Sequence, residues 1–317
     1  MDVMSIFDAA RKGALPEGFD QWALVDNEHL GLGITVAHVA AMHGALPAGF
    51  DQWELENSHG LSVAHVAALH GNLPAGFDKW TLAGSSGTTV AHCAASKGYL
   101  PEGFDQWALV NNCEITVAHA VLLSDRTLPE GFDQWGLVDL RGDTVAHLAA
   151  RKGTLPEGFD QWGLVDKRGD TVALAVLLQD RALPEGFDQW WLVDKHGYTV
   201  AYWAARLGVL PEDFDQWGLA ADKWGDTVAH TAAAANTLPE DFDQWRLLNK
   251  RGWTVAHEAA GCGHLPEGFD QWSIAVKGGW TVAHMAAMYG RLPEGFDQWG
   301  LVDDNGMTVA EALPKAQ

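Results

Sequence analysis

Eight histidines recur at near-constant intervals: His38, His65, His92, His119, His147, His230, His257 and His284. Imidazole is the commonest protein metal ligand, so such a column first suggests a transition-metal site. Zinc needs its ligands at ~2 Å from one centre. Equivalent residues in stacked helices lie one helix spacing apart, ~10 Å, so the column cannot close on an ion. Two units also do without the histidine, carrying Leu174 and Tyr202 in its place. A structural role is expected, with no metal and no cofactor. The stretch HEAAGCGH at 257–264 groups His257, Glu258, Cys262 and His264, but its fifth residue is Gly261, so it is not the His-Glu-x-x-His zinc motif. There is no Gly-x-Ser-x-Gly and no phosphate-binding glycine loop, and every acid that might pair for acid–base work recurs as scaffold. No catalytic residue is assigned and no enzymatic activity is expected.

Two other residue sets have a chemistry of recognition. The octapeptide LPEGFDQW and its variants occur eleven times and carry 22 of the 42 acids, with Lys79 the one base inside them. Stacking predicts an acidic ladder, which in the second half includes Glu157, Asp160, Glu185, Asp188, Glu212, Asp213, Asp215, Glu240, Asp241 and Asp243. The second set varies where the repeat otherwise does not. The residue after the turn glycine runs Ile34, Leu61, Thr88, Ile115, Asp143, Asp170, Tyr198, Asp226, Trp253, Trp280, Met307. A scaffold residue repeats, whereas a binding residue changes from unit to unit. From about residue 190, Trp191, Lys195, Tyr198, Trp203, Trp224, Lys250, Arg251, Trp253 and Trp280 gather on one ridge. Trp, Tyr and Arg are the types enriched at binding hot spots. These nine are the expected partner-binding residues; packing between neighbouring turns is the competing explanation for the aromatics.

The elements that position these residues follow from the repeat. The octapeptides end at Trp22, Trp53, Trp80, Trp107, Trp135, Trp162, Trp190, Trp217, Trp245, Trp272 and Trp299, spaced mostly 27 or 28 residues apart. A fixed period of this size means an array of one supersecondary unit. AVLLSDR at 120–126 returns as AVLLQDR at 175–181, which reads as a two-unit duplication. In the unit that starts at Gly142, Thr144 is placed to N-cap a helix. Val145, Ala146, Ala149 and Ala150 form a narrow apolar strip at helical spacing. Gly153, or Asn236 in another unit, ends the helix in the left-handed conformation. A second, shorter helix is expected over the octapeptide, with Pro156 in its first turn and Leu155, Phe159 and Trp162 on one face. The stretch GLVDKRG then reads as an extended segment and a tight turn.

The run GDTVAHLAARKG resembles the first-helix signature of the ankyrin repeat, Gly-x-Thr-Pro-Leu-His-x-Ala-Ala-x-x-Gly, and DKRGDT resembles the tip of its β-turn finger. The likeness covers about residues 33–312 and recurs about ten times. Val stands where that signature has Pro, and the unit is about six residues shorter than the ~33 of an ankyrin repeat. The resemblance implies an all-α, ankyrin-like helix–turn–helix solenoid with β-turn fingers and about ten stacked repeats. One repeat domain is expected over 1–317: an N-terminal half-repeat cap with an insertion at 1–32, repeats at 33–305, and a C-terminal capping half-repeat at 306–317. The resemblance further implies that the histidine makes structural hydrogen bonds around the turn, and that the finger lines the partner-binding side.

Bulk properties set the function classes. The formal net charge of −22 argues against direct binding to nucleic acid or an anionic membrane. It leaves basic proteins as partners. Cys93, Cys113 and Cys262 show no pairing pattern, which suits a reducing compartment. The start, MDVMSIFDAARKG, lacks the apolar run of a Sec-type signal, and no stretch is apolar enough to span a membrane. A cytoplasmic location is expected, in the host-cell cytoplasm for an effector or phage protein. The leading function is a non-enzymatic protein-binding scaffold or inhibitor that uses its finger ridge and acidic surface. The alternatives are an acidic decoy that mimics nucleic acid to block a basic protein, and a sponge for a small nucleotide-like ligand held between aromatics.

Overall fold

A computed structural model describes residues 2–25 and 33–314. The chain divides into two compact units, Met1–Lys167 and Arg168–Gln317. Unit 1 contains α1 (Val3–Arg11), α2 (Val36–Met42), α3 (Val63–His70), α4 (Val90–Lys97), α5 (Val117–Leu123) and α6 (Val145–Lys152). Unit 2 contains α7 (Val172–Leu177), α8 (Val200–Leu207), α9 (Val228–Ala235), α10 (Val255–Cys262) and α11 (Val282–Met288). Most of the insertion expected in the N-terminal cap, residues 26–32, lies outside the described residues.

Helices this short do not persist alone in water, so their ends must be held by the rest of the repeat. In α3 all four orphan amides at the N-terminus find partners. Ser62 N–H donates to His65 Nδ1 at 3.2 Å, and Val63 N–H to the Leu55 carbonyl at 2.9 Å. Ala64 N–H donates to the Trp53 carbonyl at 3.1 Å, and His65 N–H to Ser62 Oγ at 3.4 Å. The end of one octapeptide therefore caps the next helix, which satisfies the donors every helix start leaves open. The C-terminal caps are as expected, with Gly153 at φ 70° and Asn236 at φ 60°. In the two AVLL helices Asp125 and Asp180 take the left-handed conformation instead, at φ 56° and 54°. The alanine pairs, among them Ala149 and Ala150, are buried, as the small-residue strip requires.

The octapeptide corrects the expectation of a second helix. It forms two successive tight turns, closed by Phe159 N–H to the Pro156 carbonyl at 3.3 Å and Leu164 N–H to the Gln161 carbonyl at 3.2 Å. Gly158 sits at φ 75°, which a right-handed helix does not allow. Five residues from Pro to Asp are also too few to nucleate a helix. Turning early leaves the Trp and Leu carbonyls free for the following helix. Asp213 and Asp241 replace the glycine without a positive φ, so the turn changes type in those copies. Both are followed by a buried phenylalanine, Phe214 and Phe242.

Phe and Trp of the octapeptide do not stack on one helix face but alternate in an edge-to-face ladder. In unit 1 it runs from Phe19 and Trp22 through to Phe159 and Trp162, with neighbouring centroids 4.9–5.5 Å apart and planes 78–90° apart. In unit 2 it runs from Phe187 to Trp299, at 4.9–5.4 Å and 77–89°. Such pairs each contribute about 0.5–1.5 kcal/mol beyond burial.

Between the Trp-x-Leu tail and the next cap, the chain of each repeat forms a finger. A single antiparallel bridge closes each one, for example Val138 with Thr144 and Val193 with Thr199. Asp139 Oδ1 accepts from the N–H groups of Arg141 and Asp143, an Asx-type turn that the glycine after it completes at φ 74°.

Candidate functional site

The histidine column joins finger to finger. His65 Nε2 donates to the Thr88 carbonyl at 2.9 Å, which requires the proton on Nε2; Nδ1 then accepts from the Ser62 hydroxyl at 2.7 Å. The same pattern holds from His38 to Leu61, His92 to Ile115, His230 to Trp253 and His257 to Trp280. Both ring nitrogens are engaged in structure. Burial lowers the pKa of His38, His65, His92, His119 and His230, and that of His257 to about 4, against a weaker opposing effect of the accepting carbonyl. Among the described residues no group of three or more His, Cys, Asp or Glu is placed to hold a metal ion.

In unit 2 the repeat departs from its pattern at Leu174 of α7 and again at α8, and a cleft opens at the second departure. Tyr202 occupies the histidine position of α8. The next finger is one residue longer: Trp217 and Thr227 are ten apart, where Trp190 and Thr199 are nine. The extra residue is Ala221, which is fully buried. With no histidine to cross the gap, Thr199 makes the link itself. Its N–H and hydroxyl both donate to the Ala221 carbonyl, at 2.9 and 3.2 Å. Tyr202 is thereby freed to turn outward. It stacks on Tyr198 with centroids 4.3 Å apart, and its hydroxyl accepts from Arg206 at 3.2 Å. Trp224 leans on Tyr198 at 5.4 Å, and Trp203 lies edge-on to Tyr202 at 5.4 Å with its indole N–H on Asp194.

Tyr198, Tyr202 and Trp224 line a cleft of about 760 Å³. Its charged and polar lining includes Arg206, Asp222, Asp226, His230, Arg251 and Glu258. Asp226 is fully engaged: Arg251 donates to both its oxygens at 2.9 and 2.8 Å, and Asn249 to one at 2.7 Å. Asp222 Oδ1 accepts from the N–H groups of Trp224, Gly225 and Asp226, which shapes the finger tip. Glu258 is half-buried. Burial raises its pKa first and neighbouring Asp226 second, while Arg251 pulls the other way. Lys223 already lies over the Trp224 ring, 4.7 Å from its centroid.

Of the nine ridge residues expected to bind a partner, Tyr198, Trp224 and Arg251 line the cleft, and Trp203 supports it from behind. Trp253 and Trp280 pack instead on the histidines of their own helices, at 5.4 Å from His257 and 5.1 Å from His284. The Trp280 indole nitrogen is buried without a hydrogen-bond partner. Trp191 is 55% exposed and is not among the residues that line the cleft. Lys195 and Lys250 stand exposed at finger tips. The ladder acids Glu157, Asp160, Glu185, Asp188, Glu212, Asp213, Asp215, Glu240, Asp241 and Asp243 are all exposed, held by the aromatic ladder beneath them. Sequence reasoning did not place Tyr202, Arg206, Asp226 or Glu258 at a site. The missing histidine at 202 and the lengthened Trp217–Thr227 interval were the signals available.

HEAAGCGH is dispersed by the fold. His257 binds the next finger, His264 bonds the Ala233 carbonyl at 3.0 Å, and Glu258 faces the cleft. The three cysteines are free thiols, and burial pushes Cys93 up to about 11.

No family model and no curated protein matches the sequence. Among solved structures, the chain is similar to the ankyrin repeat domain of Bcl-3, described as a unique member of the IkappaB family, at 18% identity over 73% of this chain and 96% of that one, with a TM-score of 0.31. It is also similar to the ankyrin repeat protein EF0377, at 21% identity over 49% of this chain and 94% of that one, with a TM-score of 0.35. Neither likeness is strong enough to carry a binding site across. The capped helix, the bridged finger and the histidine link of each repeat make this an ankyrin-like array of short units, with a turn where a second helix was expected.

Proposed function

We propose that this chain is a non-enzymatic scaffold that captures a basic protein, with the cleft of unit 2 as the main contact and the acid ladder as its electrostatic guide. The cleft carries the proposal: here a tyrosine replaces the link histidine, the next finger gains a residue, and aromatic rings line the cleft together with carboxylates. The net charge of −22 draws a basic partner and repels nucleic acid. No described helix is long and apolar enough to cross a membrane. With free cysteines, a reducing cytoplasm suits the protein.

A nucleotide sponge is the weaker reading, because three carboxylates line the cleft and Arg251 is already committed to Asp226. A nucleic-acid decoy would act through the ladder instead, and salt separates it from cleft binding. Ladder-driven binding weakens steeply with ionic strength, while binding through desolvated rings does not. The test is capture from cells of the source organism with the wild-type chain beside Trp224→Ala, followed by titration of the purified partner. Loss of about tenfold or more in affinity for the variant is expected for a hot-spot tryptophan. Unchanged affinity with a steep salt dependence would move the function to the ladder.

A further inference from the structure

We propose that the unit 2 cleft takes the guanidinium group of an arginine from a basic segment of the partner, laid against the Tyr198, Tyr202 and Trp224 rings and paired with Glu258. The proposal rests on the reading of unit 2 as a surface for a basic protein and names the chemistry recognised there.

Four observations lead to it. The first is size. A cleft of about 760 Å³ admits a few side chains of an extended segment and not a folded surface. The second is the ring wall. Tyr198 and Tyr202 stack at 4.3 Å, and Trp224 is 52% exposed beside them. Aromatic faces attract cations through the ring quadrupole, and Lys223 over Trp224 at 4.7 Å shows such a contact within this cluster.

The third is the balance of charge. The lining has three carboxylates, Asp222, Asp226 and Glu258, against two guanidiniums, Arg206 and Arg251, with His230 held neutral by burial. Asp226 is matched by Arg251 and Asn249, and Asp222 is occupied by its own finger tip. Glu258 is the carboxylate left over. The fourth is its setting. A carboxylate half-buried beside Asp226 is destabilised as an anion, and a bound cation offsets that cost.

Arginine fits better than lysine for a physical reason. Its guanidinium is planar and weakly hydrated, so it stacks on rings and pairs with a carboxylate through two parallel hydrogen bonds. The ammonium of lysine is a compact, strongly hydrated charge.

The experiment is calorimetric titration of the whole chain, in about 0.15 M salt, with three capped tripeptides that differ only in the central residue: Gly-Arg-Gly, Gly-Lys-Gly and Gly-citrulline-Gly. Saturable one-to-one binding of the arginine peptide is expected, at least about fivefold tighter than the lysine peptide, with no binding of the neutral citrulline peptide. Glu258→Gln should weaken it about tenfold or more, while Glu240→Gln on the ladder leaves it unchanged. A second variant, Tyr202→His with Ala221 deleted, restores the regular repeat and should abolish binding with the fold intact by circular dichroism. Equal affinity for all three peptides overturns the proposal. So does non-saturating binding that Glu240→Gln reduces as much as Glu258→Gln, and so does tight binding of AMP that Arg251→Gln removes. If a basic protein is captured through Trp224 but the arginine peptide does not bind, the arginine pocket fails and the scaffold stands. If the peptide binds and no basic protein is captured, the reverse holds.

Discussion

Units 1 and 2 are built from one repeat, yet they spend its variable positions differently. In unit 1 the residues before each cap are Ile34, Leu61, Thr88, Ile115 and Asp143, and the last four are each reached by a histidine of the preceding helix. Asp143 is drawn to Arg151 on its own helix, at 2.6 Å. In unit 2 the same positions carry Asp170, Tyr198, Asp226, Trp253, Trp280 and Met307; α7 has Leu174 in place of the histidine, and at Tyr202 the histidine link is replaced by Thr199 and Ala221. The Phe–Trp ladder, the caps and the fingers run through both. The difference teaches that a lost histidine link can be replaced by a single inserted residue that supplies another acceptor, as Ala221 does for Thr199. What is released is an aromatic side chain at the surface.

If the scaffold is common to both units, breaking its ladder should hurt both alike. Trp107→Ala in unit 1 and Trp245→Ala in unit 2 each remove a buried ring that touches two phenylalanines. Each should cost about 3–5 kcal/mol, read by chemical denaturation. A loss confined to one unit would show that the ladders are not equivalent.

Acid should separate the units next. A histidine whose folded pKa lies below its unfolded value of 6.5 takes up a proton more readily in the unfolded chain, so stability falls as pH drops below about 6.5. His257, at about 4, contributes on the order of 3 kcal/mol to this loss by pH 4. The pKa is lowered at His38, His65, His92 and His119 in unit 1, and at His230 and His257 in unit 2. Hydrogen exchange should therefore show unit 1 losing protection at a higher pH than unit 2. Simultaneous loss would mean that one junction fails first and takes the rest with it.

The smaller effects sharpen the contrast. Tyr202→His together with deletion of Ala221 should make unit 2 resemble unit 1, with stability level or raised by about 1 kcal/mol from the regained buried hydrogen bond. A large loss of stability would mean that the tyrosine stack itself holds the finger. Smallest of all, Glu157→Gln and Glu267→Gln, at equivalent ladder positions of the two units, should leave the melting temperatures unmoved, because exposed charges on turns contribute little to folding. A measurable shift from either would give the acids a structural part.

Much of the fold was legible because it is local. Thr144, Gly153 and the alanine pairs act within one helix, so type and spacing suffice to read them. The histidine column was legible in outline, since a shared ion is excluded by period alone, and Leu174 and Tyr202 mark where it lapses. The octapeptide was misread as a helix because Leu155, Phe159 and Trp162 have helical spacing. Gly158 and the demand of the next helix for carbonyl caps decided otherwise. Trp253 and Trp280 looked like Trp224 in the sequence, but each had a histidine one helical turn away to cover.

The sequence by itself determined a stack of near-identical short units, their caps, their acidic edge and the positions free to vary. Those features depend on neighbours within a few residues and on a period that repeats them. Only the tertiary structure decided that Tyr198, Tyr202, Trp224 and Glu258, spread over some sixty residues, meet at one cleft. That meeting depends on where Ala221 puts its carbonyl and on which way Tyr202 turns once no link holds it. Both are outcomes of three-dimensional competition for hydrogen bonds, which residue spacing does not record.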